Sequence, residues 1–173
     1  MGALDSYKVD LKGISASKTA YNWHVDADFF SAVQGTEITS GCLDVELEVR
    51  KWAEAYELMF HIEGDVTVLC DRCLEPMDIP VMADVVLKAK LGDQYEDDGD
   101  MITVPYDEGC INVAWHIYEL AALEIPIRHV HPDGECIGYS AEEEPEEEPQ
   151  ETQTSVDPRW DDLRKILNNK IKN

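Results

Sequence analysis

The chain has no run of 18 uncharged apolar residues, and residues 1–14 show no basic stretch leading into an apolar one. It is therefore expected neither to cross a membrane nor to be exported. Basic side chains are scarce, 14 Lys and Arg against 37 Asp and Glu. Non-specific affinity for nucleic acid comes from Lys and Arg neutralising phosphates, so the body of the chain should be repelled by RNA and DNA. Basic proteins are the partners its charge favours. Cysteine is limited to five residues, Cys42, Cys70, Cys73, Cys110 and Cys136. An odd set with two members close together fits thiols or a metal in a reducing, cytoplasmic compartment better than a disulfide framework. HExxH, GxSxG, GxGxxG and GxxxxGK[ST] are all missing, and no Cys/His pair stands out as catalytic. These absences point to a protein that is not an enzyme, has no small-molecule substrate and acts by binding a partner.

What is present is unevenly distributed. Residues 1–141 carry nine basic and 27 acidic side chains, residues 142–156 seven Glu and no base, and residues 157–173 five basic and three acidic. The stretch AEEEPEEEPQETQTS has no large apolar residue to offset the entropy of ordering, so 141–156 is expected to be a disordered acidic linker. DPRWDDLRKIL then has the pattern of a short amphipathic helix over 157–173: Asp157 caps, Pro158 takes the first turn, and Trp160, Leu163 and Leu167 form an apolar stripe. With Arg159, Arg164 and Lys165, that segment is the candidate partner-binding element, for a protein groove or for ribonucleic acid.

The remaining body, 1–140, contains enough apolar residues, 44% over the chain, for a core without disulfides. Period-two alternation predicts strands through Tyr7, Val9 and Leu11, through Tyr21, Trp23 and Val25, and through Leu43, Val45, Leu47 and Val49. Asp26 should cap a short helix bearing Phe29, Phe30 and Val33, with Gly35 helping to end it. AYELMFHIEG and DVTVLC read as two further antiparallel strands, with tight turns at Ala53-Glu54 and at Gly64-Asp65. Residues 79–91 form another extended stretch, GDQYEDDGD a loop, and MITVPY a short edge strand. Val113, Ile117, Leu120 and Ala121 recur at helical spacing in a helix that ends by Pro126. The expected class is α+β: a bent antiparallel sheet or partly closed barrel with one main helix, followed by the acidic linker and the C-terminal helix.

Cys70-Asp71-Arg72-Cys73 is a CxxC, whose two-residue spacing lets both thiolates face one ion. Downstream, HVHPDGEC offers His129, His131 and Cys136, so Cys70, Cys73, His131 and Cys136 can compose a three-thiolate, one-imidazole zinc shell. Two other readings stand beside it. The cysteines are plain thiols at a strand end, or they form a redox dithiol, although such a dithiol normally opens a helix rather than following a strand-like VTVLC. A zinc enzyme, with three ligands and an open position for water, is one alternative function, and a generic acidic protein-binding module unrelated to ribosomes is another. His24, His61 and His116 read as ordinary surface or core histidines.

VTVLCDRCLEPMDIP, then YELAALEIPIRHVHPDGEC, an acidic spacer and DPRWDDLRKIL follow one another in an order that resembles the YceD family of bacterial large ribosomal RNA subunit accumulation proteins. The resemblance runs from about Gly41 to Leu167. It implies a non-enzymatic role in accumulation or processing of large-subunit (23S) ribosomal RNA, with basic ribosomal or ribosome-assembly proteins as partners. Some members carry extra cysteines in the region matching His131 to Cys136. Here a histidine takes the place of one of them.

Overall fold

The computed structural model describes residues 2, 4–14, 18–99, 101–132 and 135–136. The expected linker over 141–156 and helix over 157–173 lie outside the described residues. No described helix is long and apolar enough to cross a membrane.

The architecture is α+β. Strand β1 (Lys8–Asp10) follows a single 3-10 turn and pairs antiparallel with β8 (Cys110–Asn112). Tyr7 is in the turn rather than the strand, yet Tyr7, Val9 and Leu11 are all buried, as their alternation requires. Strand β2 (Thr19–Val25) leads into α1 (Ala27–Val33), which Asp26 caps by accepting hydrogen bonds from the backbone N–H groups of Asp28 and Phe29. Gly35 does not terminate α1. Gln34 takes the left-handed conformation there, and Gly35 is needed for space, because a Cβ at that position would lie 2.0 Å from the Tyr118 ring.

Strands β3 (Ser40–Trp52), β4 (Ala55–Leu69) and β5 (Pro76–Gly92) form a long antiparallel meander. Leu43, Val45, Leu47 and Val49 fill the inner face of β3, and Asp44, Glu46 and Glu48 take the other face. The two-residue turn at Ala53-Glu54 forms as expected, with Ala53 at positive φ, the backbone twist that joins tightly paired strands. The turn expected at Gly64-Asp65 does not form. Instead β4 continues through Gly64, whose φ of 150° is open to glycine, and a Cβ there would come 2.2 Å from the Cys42 carbonyl oxygen. Two short strands expected from sequence are thus one long strand that passes very close to its neighbour.

After β5 the acidic segment read as a loop contributes a two-residue strand, β6 (Glu96–Asp97), and the chain returns as β7 (Met101–Pro105). The sheet order is β2-β3-β4-β5-β7-β6. Strand β7 therefore sits inside the edge, not at it, and it pairs with β5 in parallel, so the sheet is mixed rather than wholly antiparallel. Strand β5 meets β4 along residues 76–90 but β7 only along 88–92. The order is that of an open sheet, with β2 and β6 as its edges.

Helix α2 (Ala114–Leu123) is the longest helix among the described residues, and Ala114, His116, Ile117, Tyr118, Leu120 and Ala121 are its buried residues. It packs on β4 and β5 and against α1, on the face lined by Leu58, Phe60, Ile62 and Ala83. The Tyr118 hydroxyl accepts from the Glu37 N–H at 2.9 Å and the Ile38 N–H at 3.4 Å, tying α2 to the segment that leaves α1.

Candidate metal centre

The turn between β4 and β5 begins at Cys70, which is fully buried, and closes by two backbone hydrogen bonds: Leu74 N–H to the Cys70 carbonyl and Cys70 N–H to the Glu75 carbonyl, both 2.9 Å. Leu74 adopts a positive φ of 60° at the point where the chain reverses. Inside this turn the Arg72 N–H points at the Cys70 sulfur, 3.4 Å away. The CxxC therefore curls around its first thiol with a backbone donor aimed at the sulfur.

The second half of the set arrives after α2. The Asp71 N–H donates to the His129 carbonyl, and the His129 N–H donates back to the Asp71 carboxylate, each at 2.9 Å. These bonds fasten the segment after α2 beside the CxxC turn, two residues before His131. Cys73 Sγ then lies 3.3 Å from His131 Nδ1, Cys70 Sγ 3.9 Å from Cys136 Sγ, and Cys136 Sγ 3.9 Å from His131 Nδ1. The four donor atoms all fall within 4.8 Å of one another. All four residues expected from sequence are thus brought together, and His129 supplies backbone bonds rather than a ligand.

These spacings suit a metal ion. Zinc bonds of about 2.3 Å to sulfur and about 2.0–2.1 Å to nitrogen, arranged tetrahedrally, separate two sulfurs by about 3.8 Å and sulfur from nitrogen by about 3.6 Å. The three contacts of 3.3, 3.9 and 3.9 Å lie close to those separations. Burial opposes charge on the Cys70 thiol, but the backbone N–H groups of Cys73, Arg72 and His131, together with the Cys73 side chain, outweigh it and lower its pKa to about 5. Cys136 moves the opposite way: burial raises its thiol, and hydrogen bonds with Cys73 and Cys70 and their negative charge add to the rise. One sulfur is therefore a ready thiolate at neutral pH, the form a metal requires. A cation held by the four residues would supply the positive charge that favours the Cys136 thiolate as well.

A second feature spans the outer face of the sheet. The register places His24, Asp44, Glu63 and Met82 in one cross-strand row, Asn22, Glu46, His61 and Asp84 in the next, and Cys42 opposite Asp65. Asp44 and Glu63 are directly opposed like charges, which is an unfavourable pairing within a sheet. Imidazole counters carboxylate nearby: His24 Nδ1 lies 2.8 Å from Asp44 Oδ1 and His61 Nδ1 2.7 Å from Asp84 Oδ1. The hydrogen bond that His61 donates to Asp84, followed by the Asp84 charge, raises the pKa of His61. His24 and His61 are accordingly surface residues, whereas His116 is buried in α2, with Nδ1 3.6 Å from Glu119. The expected partner-binding residues, Asp157, Pro158, Arg159, Trp160, Leu163, Arg164, Lys165 and Leu167, lie outside the described residues.

The family model described as Large ribosomal RNA subunit accumulation protein YceD matches residues 58–167, a span that includes all four clustered donors. No curated protein and no solved structure matches the chain.

Proposed function

The chain belongs to the YceD family, and from that membership we propose that it is a non-enzymatic accessory factor that supports accumulation or processing of large-subunit (23S) ribosomal RNA through basic protein partners in the cytoplasm. The observation that carries this reading is the outer sheet face, where Asp44, Glu46, Glu63, Asp65 and Asp84 occupy adjacent rows of three neighbouring strands. Such a surface repels phosphate and attracts Lys- and Arg-rich protein segments. Contact with ribosomal RNA itself belongs, on this reading, to the basic residues Arg159, Arg164, Lys165, Lys170 and Lys172.

The cysteine-histidine cluster has a structural part in this proposal. Four protein donors would complete a tetrahedral zinc shell and would leave no position for an activated water, which favours a zinc staple over a zinc enzyme. Zinc would join the β4–β5 turn to the segment after α2, two parts of the chain 58 residues apart at Cys73 and His131. Removing the gene from its native cell should reduce mature large-subunit ribosomal RNA relative to its precursor, and the wild-type protein should restore it. A folded variant carrying Glu46→Lys, Glu63→Lys and Asp84→Lys should fail to restore it. Full restoration by that variant would refute the acidic face as the docking surface, and an unchanged RNA profile after gene removal would refute the ribosomal role.

A further inference from the structure

Cys42, His24 and Asp44 are arranged in line on the outer face of β2 and β3. The exposed Cys42 Sγ lies 3.6 Å from His24 Nε2, and His24 Nδ1 lies 2.8 Å from Asp44 Oδ1. If Nδ1 carries the proton donated to the carboxylate, Nε2 presents its lone pair to the thiol. The strand register fixes this order. His24 and Asp44 are directly opposed across β2 and β3, and Cys42 stands two residues before Asp44 on the same face. Gly64 keeps β4 tight against the Cys42 backbone.

We propose that Cys42 is a modification site, a thiol activated by His24 and positioned by Asp44, that is captured by neutral or cationic low-molecular-weight disulfides. His24 Nε2 takes the Cys42 proton, and the sulfur attacks one sulfur of the disulfide. The disulfide S–S bond breaks as the new one forms, and the departing thiolate takes the proton from the His24 imidazolium. Cys42 is oxidised to a mixed disulfide, and one half of the reagent is reduced to a thiol, so protons and electrons balance.

The surroundings decide which reagent is taken. Asp44 on β3 and Asp65 and Glu63 on β4 face this site, and His24 on β2 is the only basic group in the constellation. The carboxylates repel anionic disulfides and draw cationic ones. This inference is independent of the ribosomal reading and of the metal cluster.

The test follows modification of the Cys42 peptide by mass spectrometry, with Cys42→Ser as the blank. The reagents are cystamine (cationic), hydroxyethyl disulfide (neutral) and glutathione disulfide (anionic). An ordinary thiol is only a few per cent thiolate at pH 7, so His24→Gln and Asp44→Asn should each slow labelling by hydroxyethyl disulfide on the order of tenfold at that pH. At pH 10, well above the ordinary thiol value of about 8.5, help from His24 should no longer matter and the wild type and both variants should converge, a pattern that misfolding would not produce. Cystamine should outrun glutathione disulfide at low salt, with the gap closing as salt is added. Equal rates for the wild type and His24→Gln at pH 7 would overturn the activation, and equal rates for the cationic and anionic reagents would overturn the selectivity.

Discussion

Asp71 and His129 exchange two backbone-anchored hydrogen bonds of 2.9 Å, and the His129 ring nitrogen Nε2 lies a further 3.7 Å from the same carboxylate. Neither residue is a candidate ligand, yet their pairing sets His131 beside Cys73. Groups behind the ligands commonly change metal affinity ten- to a hundredfold when lost. Asp71→Ala should therefore weaken zinc binding by about tenfold or more in competition with a chelator, while the stoichiometry stays unchanged. An affinity equal to that of the wild type would show that the clamp is ornamental.

Elemental analysis of the purified chain should find equimolar zinc, and cobalt in its place should give the intense thiolate-to-metal bands of a tetrahedral sulfur-rich site. An ion that binds only the folded state adds about 4 kcal/mol when present a thousandfold above its dissociation constant. For a body of this size, chelation should then lower the thermal midpoint by about 10 °C. Cys73→Ser, which removes a donor without touching the turn's backbone bonds, should abolish that chelator effect. Identical melting curves with and without chelator would dismiss the metal.

The run from Leu43 to Val49 declares a half-buried strand because its alternation is local, and Asp26 declares a helix start for the same reason. Gly64-Asp65 misleads, since its dipeptide chemistry is that of a turn and only the neighbouring Cys42 carbonyl reveals that glycine is needed for close approach. The parallel pairing of β5 with β7 depends on contacts distant in sequence, which no periodicity records. The four metal donors are identifiable by type, but the clamp at Asp71 that brings them together is not. The His24–Cys42 contact depends on strand register across 18 residues, and both side chains look unremarkable in isolation.

Gly35 and Tyr118 test the packing of α2. A Cβ at Gly35 would sit 2.0 Å from the Tyr118 ring, so Gly35→Ala must displace the ring whose hydroxyl accepts from two backbone N–H groups. Overpacking of this kind costs about 1–3 kcal/mol. Tyr118→Phe leaves the space filled but the two donors unpaired, at a cost of about 1–3 kcal/mol. Denaturant unfolding of the two variants should place both well below the wild type, and a Gly35→Ala midpoint unchanged from the wild type would contradict the packing described.

His61 supplies the pH dependence. Its raised pKa means that the folded state holds the proton more tightly than the unfolded chain does. The resulting stabilisation is complete below the ordinary histidine value of 6.5 and fades as the pH rises through the higher folded value. Proton NMR should locate the His61 titration above 6.5 in the wild type, and Asp84→Asn should bring it down. A His61 curve that ignores Asp84→Asn would assign the shift to another cause.

The opposed Asp44 and Glu63 predict a conflict between stability and role. Glu63→Gln removes a like-charge pair and should stabilise the fold by roughly 0.2–1 kcal/mol, more at low salt than at high. The same change should weaken capture of a basic partner segment. A variant that gains stability and keeps full partner affinity would separate this row from the docking surface.

The uneven pairing of β5 has a further consequence. Along residues 76–87 the strand has β4 on one side and no sheet neighbour on the other among the described residues. An unpaired edge that long is an invitation to stack with another copy, yet Pro76 and Pro80 lack the N–H that such stacking needs, and Asp78 between them and Asp84 beyond them add charge. The strand that leaves the CxxC turn is thereby guarded against fibrous self-association, and replacing Pro80 with valine would remove one of those guards.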